Sequence, residues 1–305
     1  MEQVYIMKAS RLLIPILALS AILTGCGNQK LSTTKSNYPV TDMAATIKGT
    51  VKDTKNVKYQ IDDGKTQSVK VNSDNFFFTV PAKQKKQTVT IKAGSQEKKI
   101  TVGSQNKLGS YKQVAKKYNT QLVQANLPKS LITKAQAAQK TQKSTAAKLK
   151  ALAKSDPQKA MQEQQKLVAA GKQLQAEMAT ASKAAAQKVK NQQLPATSEG
   201  LKTNVTTDNY QIRTNVDNDA LLSVGLIIPT SQLKTTAGQK SFGTTLALLA
   251  NSTGADAKKV LKDFGNQVKK QKNNQSSTQT HTITSNGVNF KTAVSVEKIY
   301  IFITK

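Results

Sequence analysis

The chain of 305 residues has no Trp, one Cys, one His and only two Arg, and its aromatic content is 5%. One cysteine excludes an internal disulfide, and one histidine leaves little for zinc coordination or imidazole catalysis. Scarce aromatics and 37% hydrophobic residues imply a small total core for this length, so part of the chain must be extended or helical on its own. Two or three modest domains, rather than a single compact core, are expected at this length.

What is abundant is lysine. Lys and Arg number 46 against 17 Asp and Glu, for a net charge of +29, and Arg11 and Arg213 are the only arginines. Lysine is a hydrated point charge, whereas arginine offers the planar fork that reads phosphate or guanine bidentately. The balance therefore points to loose attraction for polyanions: teichoic-acid-like wall polymers or anionic lipid headgroups. Nucleic acid is disfavoured, because the most basic segment lacks the aromatic side chains on which bases stack.

Lys8 and Arg11 precede the apolar run Leu12 to Leu23 (LLIPILALSAIL), which at twelve residues is too short to span a bilayer. Basic residues, a short apolar run and then small residues are the layout of a cleaved signal peptide. The run ends in Leu23-Thr24-Gly25-Cys26, which resembles the lipobox of bacterial lipoproteins. The resemblance implies cleavage before Cys26, lipid on that cysteine, and a place on the outer face of the cell membrane. The absence of disulfides in an exported chain favours a Gram-positive envelope. Residues 1–25 carry +1 of the charge, so +28 stays on the mature chain. Met7-Lys8-Ala9-Ser10-Arg11 makes an ordinary basic n-region by itself, which offers Met7 as a second start.

Five segments follow: a signal peptide (1–25), a lipidated cysteine with a flexible tether (26–44), a small all-β sandwich (45–103), a basic helical stalk (108–194) and an α+β domain (197–305). The tether is read from its Ser, Thr, Asn and Lys content. The sandwich is read from period-two strands such as Val57/Tyr59/Ile61, Phe76/Phe78/Val80 and Val89/Ile91, separated by turn residues such as Asp62-Asp63-Gly64. The stretches Ile47 to Val51, Val57 to Gly64 and Phe76 to Pro81 resemble the immunoglobulin-like modules of Gram-positive surface proteins, which space or bind rather than catalyse.

In the stalk, Ala, Gln and Lys dominate. A helix is expected from about Tyr111 to Asn126, ending before Pro128. Leu131, Ala135, Ala138, Gln142, Thr145, Leu149 and Leu152 recur at spacings of three and four, as do Ala160, Gln164, Leu167, Gly171, Leu174, Met178, Ala181 and Ala185. Two heptad-like helices joined at Asp156-Pro157 form a helical hairpin or coiled coil. Lys112, Lys116, Lys117, Lys148, Lys150 and Lys154 are the candidate polyanion contacts, with a solvated spacer or a helix-mediated protein partner as other roles for the same segment.

The last segment reads as ββααββ. Strands are expected near Tyr210 to Asn215 and Leu221 to Ile228, then helices carrying Phe242/Leu246/Leu249 and Ala257/Val260/Leu261/Phe264/Val268. Thr253 and Asp256 sit in capping-box positions before the second helix. Asn286-Gly287 marks a hairpin, with Val288, Phe290, Val294 and Val296 on one face. The closing run Ile299 to Ile303 is apolar on both faces, as a central strand would be.

Candidate chemistry is sparse. His281 lies among threonines at a strand start. Ser295-Val296-Glu297-Lys298 and Ser73-Asp74-Asn75 match serine–lysine hydrolase motifs, but in reversed order and without K-T-G. Asp217-Asn218-Asp219 lacks the glycine and distal glutamate of a calcium loop, so a turn is expected. No cofactor or metal is implied, and the chain reads as non-enzymatic. An extracytoplasmic solute-binding lipoprotein or an envelope enzyme or foldase are the alternatives.

Overall fold

The computed structural model describes residues 30–273 and 282–305, with side chains given outside 269–273. The signal peptide, Leu23, Thr24, Gly25, Cys26, Met7 and His281 lie outside the described residues. The architecture is mixed α and β in more than one core.

The first unit holds β1 (Ser32–Thr33), β2 (Asn37–Tyr38), β3 (Ala44–Thr50), β4 (Asn56–Ile61), β5 (Gln67–Lys70), β6 (Asn75–Pro81), β7 (Gln87–Ala93) and β8 (Gln96–Val102). They form a three-stranded sheet in the order β1-β3-β6 and a five-stranded sheet in the order β2-β8-β7-β4-β5. All pairs are antiparallel except β2 with β8. The alternation seen in sequence is the alternation of burial: Ile47, Phe76, Phe78 and Val80 from one sheet share a core with Val57, Tyr59, Val89, Ile91 and Ile100 from the other. Tyr59 and Phe78 stack across this core with ring centroids 3.9 Å apart.

Residues 31–43, expected as tether, belong to this unit. Leu31 and Tyr38 are buried in its core, and the Tyr38 hydroxyl donates to the Lys48 carbonyl at 3.0 Å. One aromatic anchor and two short strand pairings hold a stretch whose polar composition carries no period. Gly49 is required where β1 crosses β3, since a Cβ there would lie 2.3 Å from Ser32 O and from the Phe76 ring.

The second unit opens with β9 (Gly109–Ser110) and α1 (Tyr111–Ala125). It resumes after the hairpin of α2 (Lys129–Ser155) and α3 (Pro157–Lys188) with β10 (Gly200–Thr206), β11 (Gln211–Asp217), β12 (Ala220–Pro229), α4 (Thr236–Ser252), α5 (Ala257–Asn273), β13 (Thr282–Ser285), β14 (Val288–Val294) and β15 (Lys298–Thr304). The sheet order is β10-β11-β12-β15-β14-β13, antiparallel throughout, with β9 on the start of β12. Two three-stranded meanders thus meet at β12 and β15, and the closing strand is central as its double apolar face required. The pattern is βββααβββ rather than ββααββ. β10 (GLKTNVT) escaped because it is a polar edge strand that buries only Val205, and the hairpin at Asn286-Gly287 supplies two strands before the closing one. Val294 and Val296 do not continue the buried face of Val288 and Phe290: they are 63% and 95% exposed, beyond the cover of the helices.

The first helix is not part of a stalk. Tyr111, Val114, Ala115, Tyr118 and Leu122 lie in the core formed by Ile212, Val224, Leu226, Leu246, Leu249, Phe290 and Ile301. The expected segment 108–194 is therefore split: α1 is a layer of the α+β domain, and α2 with α3 is an arm inserted into it. Thr253 and Asp256 also divide their work. Asp256 caps α5 through Lys258 N at 2.9 Å, whereas the Thr253 hydroxyl donates back to Leu249 O at 2.8 Å and closes α4.

The other face of the large sheet meets the sandwich. Asn215, fully buried, donates to Ala82 O at 2.8 Å and Met43 O at 3.3 Å. Ala220 and Leu222 cluster with Ala82 and Val40. Gln84 N donates to Asp217 at 3.0 Å, and Lys291 pairs with Asp42 at 3.1 Å.

Candidate functional site: the lysine arm and its root

The arm is the helical hairpin that the spacing predicts, but its seam is only partly closed: Ala138, Gln142, Gln164, Leu167 and Gly171 of the expected seam are exposed. The Asp156 side chain accepts from Lys159 N at 3.0 Å and Pro157 occupies the first helical position, so the turn between α2 and α3 has the expected chemistry. A two-helix arm covers each seam from one side only. Leu131, Ala160 and Ala185 are its only fully buried residues, and Met161, Leu167 and Val168 remain 59%, 43% and 51% exposed. From 129 to 188 there are twelve lysines against Asp156, Glu163 and Glu177, and no aromatic residue or arginine. The ion pairs along it are Lys134–Glu177 at 2.7 Å, which crosslinks the helices, and Lys166–Glu163 at 2.9 Å. Both carboxyls are held below their usual range, first by their hydrogen bonds from Lys134 and Lys166. Both are exposed, and such pairs add little stability.

The root is a different environment. Asn119 of α1 grips the returning chain with two bonds, its amide donating to Leu194 O at 2.8 Å and its carbonyl accepting from Leu194 N at 2.9 Å. The Tyr111 hydroxyl donates to Pro195 O at 2.9 Å, and burial pushes this phenol up to about 12. Tyr118 is buried and its hydroxyl makes no well-formed hydrogen bond; desolvation first, and the nearby Tyr210 phenol after it, raise its pKa further.

The six lysines expected to contact polyanions do not form one surface. Lys112 lines a polar cleft of about 380 Å3 with Tyr111, Thr197, Ser198, Glu199, Lys202 and Asp219. Lys116 and Lys117 line a shallow groove on α1 with Gln113, Thr120, Gln121 and Gln124, and Lys117 donates to Asn251 O. Lys148, Lys150 and Lys154 are exposed on the last turns of α2. The two groups are separated by the length of the arm.

Asp219 shows why the 217–219 acids are structural. Asn218 and Asp219 both have positive φ and make the two-residue turn between β11 and β12. The Asp219 carboxylate accepts from the Ser110 hydroxyl at 2.7 Å and from Lys112 N at 3.0 Å, and these bonds lower its pKa. It ties the start of α1 to the sheet. Among the described residues no group of three or more His, Cys, Asp or Glu is placed to hold a metal ion. In the β14–β15 turn the Ser295 hydroxyl donates to Lys298 O and accepts from Lys298 N, and Ser73-Asp74 is the turn before β6. Both hydrolase-like motifs are thus used as turns.

The cleft itself was missed by sequence reasoning. Ser198 of its lining is held by the Asn204 amide, which donates to Ser198 at 3.1 Å and to Thr214 on the neighbouring strand at 2.6 Å; in a strand as polar as β10 such residues give no signal. No known family model and no curated protein matches the chain. No described helix is long and apolar enough to cross a membrane.

Proposed function

We propose that the chain is a lipid-anchored, non-enzymatic protein of the outer face of a bacterial cell membrane, with a binding role carried by the arm. Its anchor is the lipid on Cys26, and its sandwich is a spacing module of the immunoglobulin-like kind. The partner is an anionic wall polymer of the teichoic-acid type. The observation that carries this reading is the arm: twelve lysines against three acids on two helices that leave the α+β domain and pack only on each other beyond their root. Loose electrostatic attraction of this sort is governed by counterion release, so it must weaken with salt.

The test is a pull-down of the chain from Gly27 onward on purified wall, with and without teichoic acid, at ~50 and ~300 mM salt. Binding that needs the polymer and fails at high salt is expected. Binding to neither wall at the lower salt sinks the reading.

A solute-binding role has one observation in its favour, the mixed-charge cleft of Tyr111, Lys112, Glu199, Lys202 and Asp219. A ligand-dependent rise in melting temperature across a panel of zwitterionic small molecules would support it.

A further inference from the structure

Helix α2 has a sharper asymmetry than its composition shows. It contains seven lysines and no Asp or Glu. At 100° per residue, Lys129, Lys140, Lys143, Lys150 and Lys154 fall within an arc of about 80°. The arc lies on the side away from the seam of Leu131, Ala135, Leu149 and Leu152. All five lysines are exposed, and none has an acidic partner among the described residues. From Lys129 to Lys154 the stripe runs for about 37 Å along a straight axis. Lys140 with Lys143 and Lys150 with Lys154 stand at spacings where like charges destabilise a helix, so the stripe is kept against local repulsion.

Helix α3 differs. Its lysines fall on two separate flanks, and Lys159, Lys166 and Lys188 share theirs with Glu163 and Glu177. The charge of the arm is therefore unevenly placed: on α2 it follows one face without a compensating acid, on α3 it is divided and partly neutralised.

We propose that the α2 stripe seats a single extended polyphosphodiester chain laid along the helix axis, with α3 serving as its buttress. The inference rests on the polyanion reading above and adds the face, the length and the geometry of the ligand. Lysine ammonium groups on flexible stems suit a polymer whose phosphates have no fixed register, since they demand no bidentate geometry. A narrow stripe suits a linear chain better than a bilayer, which presents charge over a plane. The arm also springs from the far end of α1. The start of α1 is tied to Asp219, next to the Asp217 that contacts the sandwich, so the arm leaves from the end of α1 opposite that contact.

The experiment uses the chain from Gly27 onward and poly(glycerol phosphate) of defined length, with affinity measured across a salt series. Wild type is expected to show a log–log salt slope of about 3 to 4, or roughly a hundredfold loss from 50 to 200 mM salt, if five phosphates are neutralised. Lys129→Gln, Lys140→Gln, Lys143→Gln, Lys150→Gln and Lys154→Gln together should bring the slope below ~1. The matched variant with Lys159, Lys166, Lys172, Lys183 and Lys188 all changed to Gln should keep most of it. Circular dichroism of both variants checks that the arm remains helical. Equal loss in the two variants overturns the stripe while leaving the polyanion reading intact. Affinity for vesicles of phosphatidylglycerol with none for the free polymer overturns the stripe and the wall polymer as partner together. No binding by wild type to either probe overturns both.

Discussion

Helices α1 and α2 are consecutive, rich in the same Lys and Gln, and separated by a single Pro-containing turn, yet one is a layer of a core and the other stands in solvent. α1 (YKQVAKKYNTQLVQA) buries Tyr111, Val114, Ala115, Tyr118 and Leu122, whereas α2, nearly twice as long, buries Leu131 alone. The difference is not polarity but the size of the side chains at spacings of three and four. A buried tyrosine removes ~150–250 Å2 from water, several times what an alanine can offer. Two tyrosines on one face dock a helix that five or six alanines would leave exposed.

The largest test of that contrast is Tyr118→Ala, which should cost the α+β domain about 3–5 kcal/mol in urea denaturation. Tyr118→Phe should cost less than ~1 kcal/mol, because the hydroxyl it removes makes no well-formed hydrogen bond. A large cost for the Phe variant would mean that the phenol is bonded in solution. Next comes Asn215→Ala, which strands two buried carbonyls at the contact with the sandwich. A loss of ~1–3 kcal/mol is expected, with the unfolding of the two cores further apart than in wild type.

Smaller effects should come from the arm. Replacing residues 137–180 by a short Gly/Ser turn should leave the denaturation midpoint of the α+β domain within ~1 kcal/mol of wild type, since only the root residues touch it. A collapse of the domain would show that the arm is structural. Conditions should separate the regions as well. The folded pKa values of Tyr111 and Tyr118 lie above the unfolded value of ~10. Their contribution to stability is complete below pH ~10 and is lost as pH rises through the folded values. Stability of the α+β domain should therefore decline from pH ~10 upward, and Tyr111→Phe should flatten that decline. Added salt, by contrast, should raise the helicity of the arm slightly as it screens repulsion along α2. Near-ultraviolet absorbance and far-ultraviolet circular dichroism follow the two responses separately.

Much of this was legible where one local rule decides. The period-two runs became strands, Asp156-Pro157 became the arm's turn, Asn286-Gly287 became a hairpin, and the doubly apolar Ile299 to Ile303 became a central strand. What was not legible depended on partners distant in sequence. Composition grouped α1 with the arm because the core that Tyr111 and Tyr118 share is built from strands and a helix about a hundred or more positions away in sequence. The stretch 31–43 looked like tether because its strands pair with β3 and β8, and such pairings leave no period in a two-residue strand. The lysine stripe needed the helix limits before its phase could be read. The six lysines first singled out mixed α1 with the arm for the same reason.

The position of the arm within the chain has a consequence for how the domain assembles. Asn119 and Leu194, which clasp at the root, are 75 residues apart, and closing so long a flexible loop would impose a considerable entropic toll. A helical hairpin forms from contacts local to its own turn, in microseconds, before distant strands have met. Once α2 and α3 have zipped from Asp156 back to the root, the two ends of that loop already lie a helix diameter apart. The arm would then act as a self-made splint, holding the end of α1 beside the point where the chain returns toward β10.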